Sequence, residues 1–308
     1  KMWETFEFFS GYGFNKSHAV CYSIISFQCA WLLNYYPSEW MAAFLDKTSD
    51  KEKEKAINIA KSFGFKIKGI ELNTSSDRWE ISEDGKMLIQ PMTSIKGLGD
   101  AAYKEISNYR PFDTIEQFLF HEYMSYSKVN KKALDVLCRV GALDSFVDDR
   151  FTGLKHFWST IAVDRPRNEK KFLKNIETYA PEGDFSEQEK ILFLTELTGM
   201  FPINRIISDE MLSKLNRSGI MPIAEYDSDL RYVWFIPRSK TQKMSSKGKP
   251  YWILDVIDST NTTTQIRCWS IKPKDEIALN RPYIANLEYD EQWGFSTRSI
   301  MRDFRVIG

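Results

Sequence analysis

Three short segments carry residue types that suit nucleic-acid chemistry. The first is Gly11-Tyr12-Gly13-Phe14-Asn15-Lys16-Ser17-His18, ahead of a long apolar-rich run. Glycines let backbone amides approach an anion, a helix beginning there adds the positive end of its dipole, and Lys16 and His18 add donors. Such a site suits a triphosphate or a nucleic-acid phosphate. It is not a Walker loop, because the spacing differs and no strand precedes it. A plain structural turn leading into a capped helix accounts for the same residues. The second is Ile95-Lys96-Gly97-Leu98-Gly99-Asp100. Its two glycines permit a tight turn, Leu98 anchors that turn in a core, and the freed amides can face a phosphate, which reads position and not sequence. The third is Arg238-Ser239-Lys240-Thr241-Gln242-Lys243-Met244-Ser245-Ser246-Lys247-Gly248-Lys249, with five cations and no acid, lying between aromatic strands. Its Arg238, Lys240, Lys243, Lys247 and Lys249 offer charge for a backbone, and Trp252 or Trp269 offers a ring for a base. The competing reading is a solvated loop over core aromatics. Alternation sends Tyr251 and Trp252 to opposite faces, so only one of them can be core.

Groups for catalysis on their own are missing. The histidines His18, His121 and His156 have no HExxH-type surroundings, and no Asp-x-Asp pair falls on an expected strand, so no two-metal site and no catalytic residue are assigned. The cysteines Cys21, Cys29, Cys138 and Cys268 have no CxxC spacing, which argues against a zinc ribbon and for small buried thiols in a reducing compartment. With 42 basic and 42 acidic side chains the net charge is zero, which excludes a uniformly basic nucleic-acid coat but leaves local patches open. No apolar run is long enough for a membrane span, and no signal peptide is expected.

These segments need elements to hold them. A chain of 308 residues is enough for two or three domains. Helices are expected from about Ser17 to Asn34, Ser38 to Leu45 and Lys47 to Phe63. Period-two patterns at Phe65–Ile70, Trp79–Ile81 and Met87–Ile89, the last two flanking Asp84-Gly85, predict short strands and a hairpin. Helices return from Gly99 to about Phe151, with Val140-Gly141-Ala142-Leu143 as a degenerate second hairpin that packs on the first. A linker or mobile loop is expected near 164–188, then helices at Glu187–Leu197 and Ser208–Asn216. From about Leu230 the chain alternates in five or six short strands, which suggests a small closed β-barrel. The fold class is therefore α+β and multidomain, with divisions at 1–68, 69–163, 164–217 and 218–308.

The run Phe9-Ser10-Gly11-Tyr12-Gly13-Phe14-Asn15-Lys16-Ser17-His18-Ala19, with Tyr22, Ser26-Phe27-Gln28, Trp31-Leu32, Tyr36-Pro37 and Trp40-Met41-Ala42-Ala43, resembles the fingers region of the bacterial replicative DNA polymerase III alpha subunit, the C family. Gly69–Ser75, Ile95–Gly99, Asn130–Asp144 and Glu196–Asn204 resemble, in order, the strand, the helix-hairpin-helix, its second half and the turn before the OB barrel of that family. The resemblance implies the end of a fingers domain, a helix-hairpin-helix domain and an OB domain, from the C-terminal part of such a subunit. Its palm, with the catalytic carboxylates and their Mg²⁺, is expected before Lys1, so no cofactor is expected within this chain. It implies duplex DNA at Lys96, Gly97, Leu98 and Gly99, single-stranded template at the barrel, the phosphates of a dNTP at Asn15, Lys16, Ser17 and His18, and a cytoplasmic setting in a bacterium or an infected host. A sliding clamp is a partner of the family, but the Gln-rooted clamp-binding pentapeptide is missing from its usual interval, and Gln117-Phe118-Leu119-Phe120 falls where rings should be core. The alternatives are a free-standing, non-catalytic DNA-binding accessory protein, the C-terminal half of a split polymerase, and a protein-interaction module whose hairpins no longer hold DNA.

Overall fold

The computed structural model describes residues 15–49, 52–179, 184–228, 232–260, 262–269 and 271–307. Helix α1 (Lys16–Tyr35) starts at Asn15, whose side chain accepts from the Ser17 amide, and α2 (Pro37–Lys47) follows with proline at its first position. The charged stretch expected to be helical from Lys47 begins its helix later, as α3 (Lys53–Ser62). Met41 and Leu45 of α2 and Ile57 and Ala60 of α3 bury one face against a small sheet, together with Trp79 and Leu88. In that sheet β1 (Lys66–Lys68) lies parallel to β3 (Met87–Ile89), and β2 (Glu80–Ile81) pairs antiparallel with β3 across the Asp84-Gly85 turn.

The second core gathers α4 (Asp100–Tyr109), α5 (Ile115–Leu119), α6 (Lys131–Arg139) and α7 (Leu154–Trp158), the last continuing into one wide π-type turn, Ser159–Val163. Spacing explains α6: Ala133, Leu134, Val136, Leu137 and Cys138 are buried, while its lysines stay outside. Phe118 and Leu119 sit inside this core, so Gln117–Phe120 presents no free aromatic peptide. The stretch expected as a linker departs from that reading. Residues 169–178 form α8 (Glu169–Thr178), capped by Asn168, and Phe172 enters the same core. Its apolar positions Phe172, Leu173 and Ile176 have helical spacing, masked in the sequence by the lysines between them.

Helices α9 (Glu187–Thr198), α10 (Ile203–Ile206) and α11 (Asp209–Arg217) cross to the last unit. There β4 (Met221–Pro222), β5 (Val233–Met244), β6 (Pro250–Ile257), β7 (Thr264–Cys268), β8 (Tyr283–Ala285), β9 (Glu288–Asp290), β10 (Gly294–Thr297) and β11 (Phe304–Val306) form a curled mixed sheet, and a short helix α12 (Ile300–Asp303) leads into β11. Strand order is β11-β8-β5-β6-β7-β10-β9, with β4 beside β5 and β10 parallel to β7. The expected closed barrel is instead an OB-like half-barrel: β11 and β9 end the ladder and do not pair with each other among the described residues. The end strand β9, Glu288-Tyr289-Asp290, is fully exposed and carries two acids, a composition that blunts edge pairing. Phe235, Trp252, Leu254, Ile266, Cys268 and Phe295 fill the inside of the curl. The start of β5 is buried on both faces because Ile191, Phe201 and Leu215 of the preceding helical stretch cover Trp234 and Ile236.

Candidate nucleic-acid interface

At the hairpin, a 3₁₀ turn (Met92–Ser94) delivers Ile95 and Leu98 into the helical core. Gly97 between them has φ +93°, a left-handed conformation that a side chain would strain. Gly99 is the N-cap of α4 with an ordinary φ of −77° and open space around it. The Leu98 amide donates back to the Ile95 carbonyl at 3.2 Å. The amides of Gly97, Gly99, Asp100 and Ala101 have no hydrogen-bond partner among the described residues. Free donors at the hairpin and the head of a ten-residue helix are the kind of arrangement that suits an anion.

Helix α6 closes one side of that surface. Where a Cβ on Gly97 would sit, the Lys132 Cε and Nζ atoms lie 3.2 and 3.7 Å away and Val136 lies 3.6 Å away. Lys131 and Lys132 occupy the first turn of α6, which holds no acid. Two cations at the positive end of a helix are unfavourable by about 0.3–1 kcal/mol each, so their placement fits an anion brought from outside. In the sequence the Lys-Lys pair is legible only as part of the family resemblance, and its spacing alone does not mark it as a site. Lys96 goes elsewhere. Its amide donates to the Leu197 carbonyl at 2.7 Å, and its ammonium lies 3.6 Å from where a Cβ on Gly199 would sit. It therefore supports the C-terminal end of α9, where a cation is favoured, and Lys132 takes the place expected of it beside Gly97.

The second hairpin uses up its own donors. The Gly141 and Ala142 amides donate to Cys138 and Leu137 carbonyls at 3.0 and 2.9 Å, and the Ala142 carbonyl accepts from Leu72 at 3.1 Å. A carboxylate oxygen of Asp144 also lies 3.0 Å from where a Cβ on Gly141 would sit, which suits packing and opposes phosphate. Burial pushes the Asp144 carboxyl up to about 6, and nearby Lys190 and Arg205 only partly offset it. A folded value above the unfolded one means that the native state holds the proton more tightly, so stability falls as pH rises from about 4 to 6 and then stays level. Asp144 keeps an exposed surface, so solvent screens much of this effect, and Asp144→Asn is expected to stabilise the fold at pH 7.5 but not at pH 4, as read by urea denaturation at both pH values. Equal effects at the two would show that the carboxyl titrates normally.

In the half-barrel the basic stretch is mostly strand. Lys240 to Met244 pair with Leu254 to Pro250 of β6, and Ser245–Lys249 forms the tip. Arg238 is the extra residue of a β-bulge between Pro237 and Ser239. The bulge aims it at Glu54 of α3, at 3.4 Å, and over the Phe201 ring at 4.8 Å, so Arg238 ties the helices to the sheet instead of facing solvent with the lysines. Trp252 points inward, is 9% exposed, and is capped by the Lys240 ammonium 4.4 Å from its ring, which removes it as a stacking platform. The opposite face carries Lys243, Tyr251, Arg267 and Trp269 by register. Tyr251 and Trp269 pack with ring centroids 4.6 Å apart, and the Arg267 guanidinium donates to the Trp293 carbonyl. Lys243, Lys247 and Lys249 are exposed along the edge of this face. Trp269 and these lysines are among the residues named from the sequence. Arg267 is not, although its face follows from counting alternate residues back from Trp269.

Asn15, Lys16, Ser17 and His18 share the exposed N-terminus of α1. Asn15 Oδ1 accepts from the Ser17 amide at 3.1 Å and from its hydroxyl at 2.6 Å, and the His18 ring lies 4.4 Å from Tyr22. The glycines expected to cradle an anion there, Gly11 and Gly13, lie outside the described residues. Among the described residues, no three His, Cys, Asp or Glu stand together in a way that could hold a metal. No helix in them is long and apolar enough to cross a membrane.

Residues 64–153, which hold the hairpin, match a family described as a helix-hairpin-helix motif. DNA polymerase III subunit alpha of Pseudomonas aeruginosa is 32% identical over 167 residues, covering 52% of this chain and 14% of that protein. That of Chlamydia pneumoniae is 27% identical over 292 residues, 85% of this chain and 23% of that protein. That of Aquifex aeolicus is 27% identical over 269 residues, 84% of this chain and 22% of that protein. The chain thus spans less than a quarter of the length of these relatives.

Proposed function

Because the chain is homologous to a region of DNA polymerase III subunit alpha, we propose that it is the DNA-gripping C-terminal part of a replicative polymerase. The hairpin holds duplex: a backbone phosphate sits on the amides of Gly97, Gly99, Asp100 and Ala101, with Lys132 and Lys131 beside it. Contacts of this kind fix position without reading sequence, as a replicating enzyme requires. The half-barrel holds single-stranded template on its outer face, with bases on Tyr251 and Trp269 and backbone along Lys243, Lys247 and Lys249. Asn15, Lys16, Ser17 and His18 meet the phosphates of the incoming dNTP. Nucleotidyl transfer itself would be the work of paired carboxylates and Mg²⁺ in the palm of such a polymerase. A cytoplasmic setting goes with that role.

The observation that carries the reading is the set of four amides at the hairpin and the head of α4 without a partner among the described residues, next to Lys132 on a helix start that lacks an acid. Fluorescence anisotropy of the full chain with two duplexes of unrelated sequence tests it. Their affinities are expected to agree within about twofold and to fall together as salt rises, with a log–log slope of about −0.9 for each phosphate neutralised. A strong preference for one sequence, or a response indifferent to salt, overturns the reading.

A further inference from the structure

Next to the Tyr251–Trp269 pair, on the same face of the half-barrel, lies a cleft of about 370 Å³ that shares Trp269 with that pair and extends beyond it. Trp269 and Trp293 line it, together with Glu288, Asp290, Ser296 and Arg298. Its parts are held from below. The Asp290 carboxylate accepts the amides of Gln292 and Trp293, both at 2.9 Å, which sets the turn carrying the Trp293 ring. Arg267 holds the Trp293 carbonyl. Glu288 stands opposite Ser296 in the β9–β10 register, and its carboxylate faces the exposed Arg298 guanidinium at 3.8 Å, a long approach that a ligand displaces readily, with the Arg302 charge also in its field. The cleft therefore presents two indoles, an acceptor-only carboxylate and a guanidinium side by side.

We infer that this cleft takes one unpaired base of the single strand and prefers guanine; the inference rests on the single-strand reading of the half-barrel given above. The selectivity follows from hydrogen-bond patterns. Guanine offers adjacent N1–H and N2–H donors to both oxygens of a carboxylate, with O6 beside them for a guanidinium. Adenine and cytosine place a ring-nitrogen acceptor next to their amino group, so one carboxylate oxygen meets a lone pair. Thymine has a single N3–H between two carbonyls and is the worst match. Stacking between Trp269 and Trp293 is indifferent to base identity, so discrimination falls to Glu288 and Arg298. A base seated there fixes the register of the strand on the face without a requirement for a particular sequence elsewhere.

The test is anisotropy of the full chain with an oligothymidylate and with the same strand carrying one central dG or one central deoxyinosine, which keeps N1–H but lacks the 2-amino group. The dG strand is expected to bind about fivefold more tightly than the all-thymine strand, with inosine between them. In Glu288→Gln, whose amide can donate to thymine carbonyls, the ratio of dG to thymine affinity is expected to fall to about one. Glu288 is on an exposed edge strand, so this substitution does not threaten folding. Equal binding of the three strands by the unaltered chain overturns the guanine site while leaving the single-strand reading intact. A ratio unchanged in Glu288→Gln overturns the assignment to this cleft. No binding of any strand at low salt removes the single-strand reading itself, and the guanine site with it.

Discussion

Trp252→Ala is expected to unfold the half-barrel, and Trp269→Ala to leave it folded while weakening single-strand binding roughly 5- to 150-fold, the range that follows from the worth of one stacked base. The two indoles sit one strand apart, on opposite faces. Trp252 is among the side chains that fill the curl, packed with Leu254, Ile266 and Cys268. Truncating a buried tryptophan costs about 3–5 kcal/mol through reduced burial and the cavity left behind, a large share of the stability of a small domain. Trp269 instead packs on Tyr251 at the surface, so little of the fold depends on it. A base stacked on an aromatic ring contributes about 1–3 kcal/mol, which sets the size of the binding loss. Removing a ring neutralises no phosphate, so the salt slope should stay that of the unaltered chain, whereas replacing Lys243, Lys247 and Lys249 would flatten it. Circular dichroism melts alongside oligothymidylate titrations at several salt concentrations separate these effects. A Trp252→Ala chain that melts like the unaltered one, or a Trp269→Ala chain that binds equally well, would contradict the assignment of faces.

The same pair shows where sequence reasoning stops. Alternation establishes that Tyr251 and Trp252 face opposite ways, but period two alone does not tell inside from outside on a strand flanked by aromatics. The answer depends on which neighbours curl over it, namely Leu254, Ile266 and Phe295, which come from three strands. Arg238 groups with the lysines because the segment reads as one basic run. The bulge that turns it toward Glu54 is a one-residue slip between two strands, set by tertiary pairing. The hairpin is more legible, because Gly97-Leu98-Gly99 is a local turn whose conformation is dictated by its own residues. Even there a local reading misplaces the cation: Lys96 is adjacent in sequence but turns to the end of α9, and Lys132 arrives from a helix further along the chain. The helix Glu169–Thr178 reads as a linker because its charges outnumber the apolar positions that pack. Local elements and turn chemistry are thus readable, while the aim of long charged side chains is not, since it is decided by partners distant in the chain.

The claim that the hairpin grips duplex through free amides is tested most directly at Gly99. This glycine needs no special backbone conformation, and a Cβ there meets nothing within 4 Å, so Gly99→Val keeps the turn. Its methyl groups would instead stand over the amides of Gly99 and Asp100, where a phosphate has to approach within hydrogen-bond distance. Gly97→Val is a poorer probe, because φ of +93° and the Lys132 side chain 3.2 Å away would strain the fold itself. A hydrogen bond to a charged group is worth about 1.5–3 kcal/mol, so blocking the approach of one phosphate to one amide is enough to weaken binding by about tenfold. Duplex binding by Gly99→Val and by the unaltered chain, compared by anisotropy at matched salt with melting curves recorded in parallel, should therefore show an unchanged melt and an affinity lower by about that factor for every duplex sequence. Unchanged duplex affinity in a folded Gly99→Val chain would contradict the account, and would leave Gly97-Leu98-Gly99 as a turn that only packs.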